Sequence, residues 1–141
     1  MSEAKPTLLS VMKEALGARV DPDAASFVDL MADDFVMEFP YARPGMKTRI
    51  EGRAAVLTYL VGVAEGASIE DIAVSAVHET GDPEVVIVEF EGRGQALKVG
   101  EPYEQRYISV IRARGGKIVH YKDYWNPLQG LKAQRGSTDK A

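Results

Sequence analysis

The chain contains no cysteine. That excludes a disulfide framework, a thiolate nucleophile and any zinc–thiolate site. Histidine is scarce, with only His78 and His120, and no His/Asp/Glu cluster has metal-ligand spacing. No metal and no cofactor are therefore expected. Basic residues are outnumbered, 17 Lys and Arg against 21 Asp and Glu, which argues against a nucleic-acid surface. No apolar run approaches the roughly 20 residues of a membrane span. The start, MSEAKPTLL, lacks the basic and apolar plan of a signal peptide, so a cytoplasmic protein is expected. Gly92-Arg-Gly94 is too short to cradle phosphates, and no serine sits in a nucleophile elbow.

What is present is ordinary in amount. The 141 residues, 45% apolar and 27% charged, suit one soluble globular domain over 1–141, with a polar tail at 134–141 expected to fray. Thr7 to Leu16 reads as a helix stopped by Gly17. Asp21 and Pro22 predict a second helix by cap and first-turn chemistry. Phe35 to Phe39 is a short strand. The loop from Pro40 to Ile50 offers Tyr41 and Arg43 as functional candidates, with Lys47 and Arg49 read as solvated. Arg53 to about Val63 is a helix with a stripe of Val56, Leu57, Leu60 and Val61, and with Tyr59 and Val63 one turn apart. Four strands follow: Ile69 to Glu79, Glu84 through Leu97, Tyr103 to Arg112, and Lys117 to Asn126. Val85 to Phe90 predicts a strand covered on both faces, with Glu89 paired inside it to Arg93 or Arg106. Pro127 to about Ala133 starts a terminal helix.

Helices segregated from strands imply an α+β fold. A curved antiparallel sheet wrapped around the helices would make a cone with a central pocket. The last strand is its densest element, where Tyr121, Asp123 and Trp125 share one face by strand alternation. A two-residue turn at Gly115-Gly116 would set Asp123 opposite Ile108, Trp125 opposite Arg106 and Tyr121 opposite Val110. Arg106 would then reach Asp123 diagonally and lower its pKa, against the upward push of apolar burial. The other face would carry Tyr103, Gln105, Tyr107, Ser109 and Ile111 with His120 and Tyr124. Tyr107, Ile111, Ile118 and Tyr124 on that face predict a homodimer.

Several stretches together have a family look: Ile50-Glu-Gly-Arg53, Glu79-Thr-Gly-Asp-Pro83, Val88-Glu-Phe-Glu-Gly-Arg-Gly94, Tyr103-Glu-Gln-Arg-Tyr-Ile108, Gly116-Lys-Ile118 and Lys122-Asp-Tyr-Trp-Asn-Pro127. With them, Ile50 to Ala133 resembles the SnoaL-like branch of the nuclear-transport-factor-2-like, ketosteroid-isomerase-like superfamily. Within it, the likeness narrows to the phenazine biosynthesis A/B proteins. The resemblance implies an α+β cone, a deep apolar pocket, a homodimer, and Asp123 at the position of an acid/base carboxylate. Two helix positions that carry His and Ser in that branch hold Tyr59 and Val63 here, and Arg106 stands where it tends to have His. The steroid-isomerase constellation is not matched residue by residue.

The expected function is cofactor-independent proton transfer, as an isomerase, cyclase or lyase, on a small apolar aromatic or polycyclic carbonyl or hydroxyl compound. Asp123 would be the acid/base, Tyr41, Tyr103 or Tyr121 the oxyanion donor, and Arg106 would tune Asp123 or bind an acidic group. Tyr59, Val63, Tyr103, Tyr121, Trp125 and Arg43 would contact substrate. One alternative is a binding module of the same fold without turnover. Another is an epoxide or ester hydrolase built on Asp123, Arg106 and a second acid such as Glu89.

Overall fold

The computed structural model describes residues 7–97 and 100–128. The expected terminal helix, beyond its first residues, and the tail at 134–141 lie outside them. Helix α1 (Leu8–Leu16) starts at a capping box: the Thr7 hydroxyl accepts the Ser10 N–H, and Ser10 Oγ accepts the Thr7 N–H. It ends at Gly17, whose φ of +56° suits a residue without Cβ. Its inner face buries Val11, Met12, Ala15 and Leu16.

The helix expected after Asp21 does not form. Asp21 Oδ1 accepts the Asp23 N–H, Asp29 Oδ2 accepts the Ala25 N–H, and Ser26 Oγ accepts the Asp29 N–H. These short polar side chains satisfy the backbone locally and compete with helical bonds. Only a 3-10 turn, Val28–Leu30, follows.

The sheet has strands β1 (Met31–Glu38), β2 (Arg49–Glu51), β3 (Ala67–Glu79), β4 (Val85–Ala96), β5 (Glu101–Arg114) and β6 (Lys117–Trp125). Their order is β2-β1-β6-β5-β4-β3, antiparallel throughout except for the parallel β1–β6 pair. The sheet is curved and does not close, and α1 and α2 (Arg53–Ala64) complete an α+β fold. The core fills the concave side with Met12, Leu16, Leu30, Met31, Phe35 and Phe39 among its fully buried side chains. In α2 only Val56 is fully buried; Leu57 and Val61 face solvent rather than joining the expected stripe.

Strand β4 is covered on one face, not two. Val86, Val88 and Phe90 are buried, whereas Val85, Ile87 and Glu89 are half-buried. Glu89 is consequently not a buried ion: its Oε2 lies 2.7 Å from His78 Nε2, and its side chain is 43% exposed. Arg93 pairs instead with Glu91, which also sits opposite Arg106. Exposed pairs of this kind contribute little to stability.

The decisive departure is in β6. Gly115 and Gly116 form the expected two-residue turn, with φ of +63° and +84° and Arg114 opposite Lys117. The register then shifts between Ala113 and Arg112, because Val119 is an extra residue on β6. The β1–β6 pairing also shifts there, between Met31 and Val36. The bulge lets Ile118 and Tyr121 both enter the core, at 0% and 2% exposure, although they differ in strand parity. Beyond it Asp123 faces Ser109, Trp125 faces Tyr107 and Tyr121 faces Ile111. Every expected β5 partner moves by one residue, and Tyr103, Gln105, Tyr107, Ser109 and Ile111 turn to the concave side. Tyr107, Ile111 and Ile118 are thus not part of an outer apolar patch. That face carries Ile108, 45% exposed, opposite Tyr124.

The two glycines of β4 serve close packing rather than a bend. A Cβ on Gly94 would run into the Ser68 carbonyl oxygen of β3, and one on Gly92 would lie 3.1 Å from the Ile69 side chain. Gly94→Ala should therefore destabilise by about 1–3 kcal/mol, as overpacking does. Gly81→Ala, with nothing within 4 Å of its Cβ, should stay within about 0.5 kcal/mol of wild type. Denaturant unfolding of the two variants checks this; equal midpoints would show that β3 and β4 can separate freely.

Candidate active site

The concave side of the sheet and α2 enclose a cavity of about 650 Å³. Met37 of β1, Phe90 and Gly92 of β4, Tyr103, Gln105 and Tyr107 of β5, and Tyr121, Asp123 and Trp125 of β6 line it. Tyr59 and Leu60 of α2 and Phe27 complete the inner wall. Met46, Val63 and Glu65 are exposed and mark its mouth, and the half-buried Arg43 is also part of the lining. A mostly apolar recess with a few converging polar groups is the usual form of a small-molecule site.

Aromatic contacts fix the walls. Phe39 lies 4.8 Å from Tyr59 and 5.4 Å from Trp125, ring centre to ring centre. Phe90 stacks on Tyr107 at 4.8 Å, and Phe27 meets Tyr121 edge-on at 5.9 Å. Such pairs hold large side chains in single orientations.

Asp123 stands among them. The residue keeps some exposed surface, but Oδ1 is buried and has no hydrogen-bond partner among the described residues. Burial alone pushes its carboxyl up to about 7. The surrounding phenols move the same way. Burial, with the nearby Asp123 charge adding to it, raises Tyr59 to about 12 and pushes Tyr121 above its ordinary range. Burial likewise raises Tyr107 and Tyr103. All four hydroxyls therefore stay protonated where Asp123 titrates.

Among the residues expected to act, Asp123, Tyr59, Val63, Tyr103, Tyr121, Trp125 and Arg43 all line this cavity. Tyr41 and Arg106 do not. They line a shallow groove on the outer face with Glu89, Glu91, Ile108 and Tyr124, where the Tyr41 ring meets Tyr124 edge-on at 5.3 Å. The one-residue shift at Val119 is the reason Arg106 is turned away from Asp123. Glu89 is on the same outer face, so the hydrolase arrangement of Asp123 with Arg106 and Glu89 is not assembled. His120 is also outside the cavity lining, its Nε2 lying 3.1 Å from Glu38 Oε1.

Gln105 and Tyr107 are cavity residues that strand alternation from the turn assigns to the wrong face. The available signal is parity: both share it with Tyr103, and Ser109 and Ile111 continue the series. Gln105 is 2% exposed. Its Oε1 accepts the Arg106 and Asn126 N–H groups, and its Nε2 donates to Tyr103 Oη and to the Asn126 carbonyl. Ser109 Oγ and Tyr121 Oη share a hydrogen bond of 2.8 Å.

The SnoaL-like domain profile matches residues 13–121. The chain belongs to the SnoaL-like family. An uncharacterized PhzA/B-like protein of Pseudomonas aeruginosa is 43% identical over 114 residues, which are 81% of this chain and 80% of that one. The uncharacterized protein YesE of Bacillus subtilis is 37% identical over 126 residues, 89% of this chain and 86% of that one. A candidate isomerase from Bacillus subtilis, known by crystal structure, superposes with a TM-score of 0.76 at 36% identity, covering 91% of this chain and 92% of that one. In this SnoaL-like chain the profile match stops two residues before Asp123, so the carboxylate is placed by the structure itself. No helix among the described residues is long and apolar enough to cross a membrane.

The Asp123 environment makes stability fall as pH rises. The folded state holds the proton up to about 7, whereas an unfolded aspartate releases it near its ordinary value of 3.8. At acid pH both states are protonated and burial carries no ionic penalty. Between these values the unfolded state gains by ionising; above the upper one the full penalty applies, up to about 4 kcal/mol. Asp123→Asn should thus raise the melting temperature over wild type at pH 8 and lose most of that advantage at pH 4. A difference independent of pH would mean that the carboxyl is solvated.

Proposed function

We propose that the protein is a cofactor-independent acid/base enzyme, an isomerase, cyclase or lyase, acting on a small apolar aromatic or polycyclic carbonyl or hydroxyl compound. The observation that carries this reading is the Asp123 carboxyl inside an aromatic-walled cavity, its Oδ1 buried and without a hydrogen-bond partner among the described residues. A carboxylate whose pKa lies near neutrality divides its time between base and acid, which is what proton transfer needs. The candidate isomerase among its structural relatives supports the same reaction class. Asp123 takes a proton from carbon or oxygen of the bound compound and returns it elsewhere. Tyr59, Tyr121 and Trp125 hold the substrate plane, with Arg43 a further substrate contact.

Deuterium exchange into 2-tetralone, followed by NMR, tests the reading, since this bicyclic ketone has an acidic C–H beside its carbonyl. Wild type should accelerate exchange over buffer, and the rate should rise with pH around a midpoint near 7 as Asp123 ionises. Asp123→Asn should reduce the enzymatic rate by about 10²–10⁴-fold. Tight binding of the ketone with no acceleration would favour the binding-module alternative.

The protein is further proposed to be a homodimer through the outer sheet face. Ile108 and Tyr124 form an apolar centre there, flanked by Glu89, Glu91, Arg106 and Lys122. Both charge signs around an apolar centre suit a two-fold contact, in which each patch meets its own copy. Sedimentation at micromolar concentration should give a dimer, and Ile108→Glu should shift it to monomer. A monomeric wild type would reject this interface.

A further inference from the structure

The Gln105 amide is held in one orientation by the backbone. Its Oε1 receives two N–H groups, from Asn126 at 2.7 Å and Arg106 at 3.1 Å. Turning the amide over would set an NH₂ group against two N–H donors. Its Nε2 must therefore point the other way, where it donates to the Asn126 carbonyl and to Tyr103 Oη, each at 3.1 Å. A phenol oxygen can accept and donate, but an amide nitrogen can only donate. Tyr103 Oη is thus committed as the acceptor of that bond, and its own proton must go elsewhere. No described residue accepts it in a hydrogen bond, while Tyr103 lines the cavity and is only 7% exposed. The Ser109–Tyr121 pair differs, because either hydroxyl can be the donor.

We propose that Gln105 is a positioning residue that makes Tyr103 a one-way hydrogen-bond donor to the cavity, so that the site selects apolar ligands carrying a bare acceptor oxygen, a ketone or its enolate. This deepens the proposed function and rests on it for the cavity being the ligand site. Burial keeps the Tyr103 hydroxyl protonated, which sustains the donor. Asp123 Oδ1 has the complementary need, since it accepts and finds no donor among the described residues. One ligand satisfies both: an apolar ketone with its oxygen on Tyr103 and an acidic C–H towards Asp123. Proton transfer from that carbon to the carboxylate leaves the electron pair as an enolate, whose oxygen Tyr103 stabilises.

The test uses 2-acetylnaphthalene and 2-ethylnaphthalene, which match in shape and differ in the acceptor oxygen, with affinities measured by equilibrium dialysis. Wild type should bind the ketone about 3–10-fold more tightly than the hydrocarbon, the usual net gain of one hydrogen bond. Tyr103→Phe should bring the two within about twofold. Gln105→Glu, measured at pH 8, replaces the amide donor with an acceptor that draws the Tyr103 proton away from the cavity, and should also abolish the preference. A purely structural role for Gln105 would weaken both ligands alike. A preference that survives in Tyr103→Phe, or none in wild type, overturns the proposal, and Tyr103→Phe alone decides if Gln105→Glu does not fold. Binding needs no turnover, so a retained preference without ketone exchange would reject the catalytic reading and leave the donor intact. If neither compound binds, the cavity is not the ligand site and both readings fall.

Discussion

The one extra residue at Val119 determines what the cavity contains. Before it, β6 follows the register set by the Gly115-Gly116 turn; after it, every partner on β5 is displaced by one. Side chains alternate faces along a strand, so an odd displacement exchanges the inner and outer sets. The exchange has an energetic cause in the core. Ile118 and Tyr121 are both buried to within 2% exposure, and a regular strand cannot point residues three apart to the same side. β1 yields at the same level between Met31 and Val36. Packing of the core end of β6 thus selects which residues of β5 meet Asp123 at the cavity end.

Within the cavity, low polarity is maintained at some cost. A buried acceptor oxygen without a donor is normally avoided, and Asp123 Oδ1 is such a group among the described residues. The rings that line the cavity with it pack against one another. Four of the surrounding polar side chains bond to one another rather than to Oδ1: Gln105 with Tyr103, and Ser109 with Tyr121. A fold that concentrates stability elsewhere and leaves one buried acid unsatisfied has the pattern of a functional site, where local optimisation is relaxed for chemistry.

Much of this is legible in the sequence, and the failures share a cause. The α+β class, the α1 stop at Gly17 and the Gly115-Gly116 turn follow from local chemistry that tertiary contacts do not override. Helical spacing assigns Tyr59 and Val63 to one space, and both line the cavity. Tyr41 and Arg106, expected inside, lie outside. Arg106 is misplaced by simple alternation because a bulge has no strong signature at Lys117-Ile-Val-His120, where β-branched residues suit a regular strand equally well. Tyr41 sits in a loop whose path no periodicity constrains. Glu89 looks buried because it interrupts an apolar run, but only alternate residues of β4 face the core. The lost helix after Asp21 is a different failure: cap chemistry is present, yet Ser26 and Asp29 bind the backbone first.

The displacement of Arg106 also sets the protonation of the site. Had the simple register held, a guanidinium would lie diagonal to Asp123, and an adjacent cation favours the ionised carboxylate. The acid would then be charged throughout the neutral range and unable to return a proton. With Arg106 on the outer face opposite Glu91, burial is left as the dominant influence, and it raises the carboxyl to about 7. The same shift brings Tyr103 and Gln105 inward, supplying a neutral donor in place of a cation. A neutral donor stabilises developing negative charge on a ligand oxygen without holding Asp123 ionised. Strand parity at Val119 thereby sets both the pKa of the acid/base and the kind of group that faces its ligand.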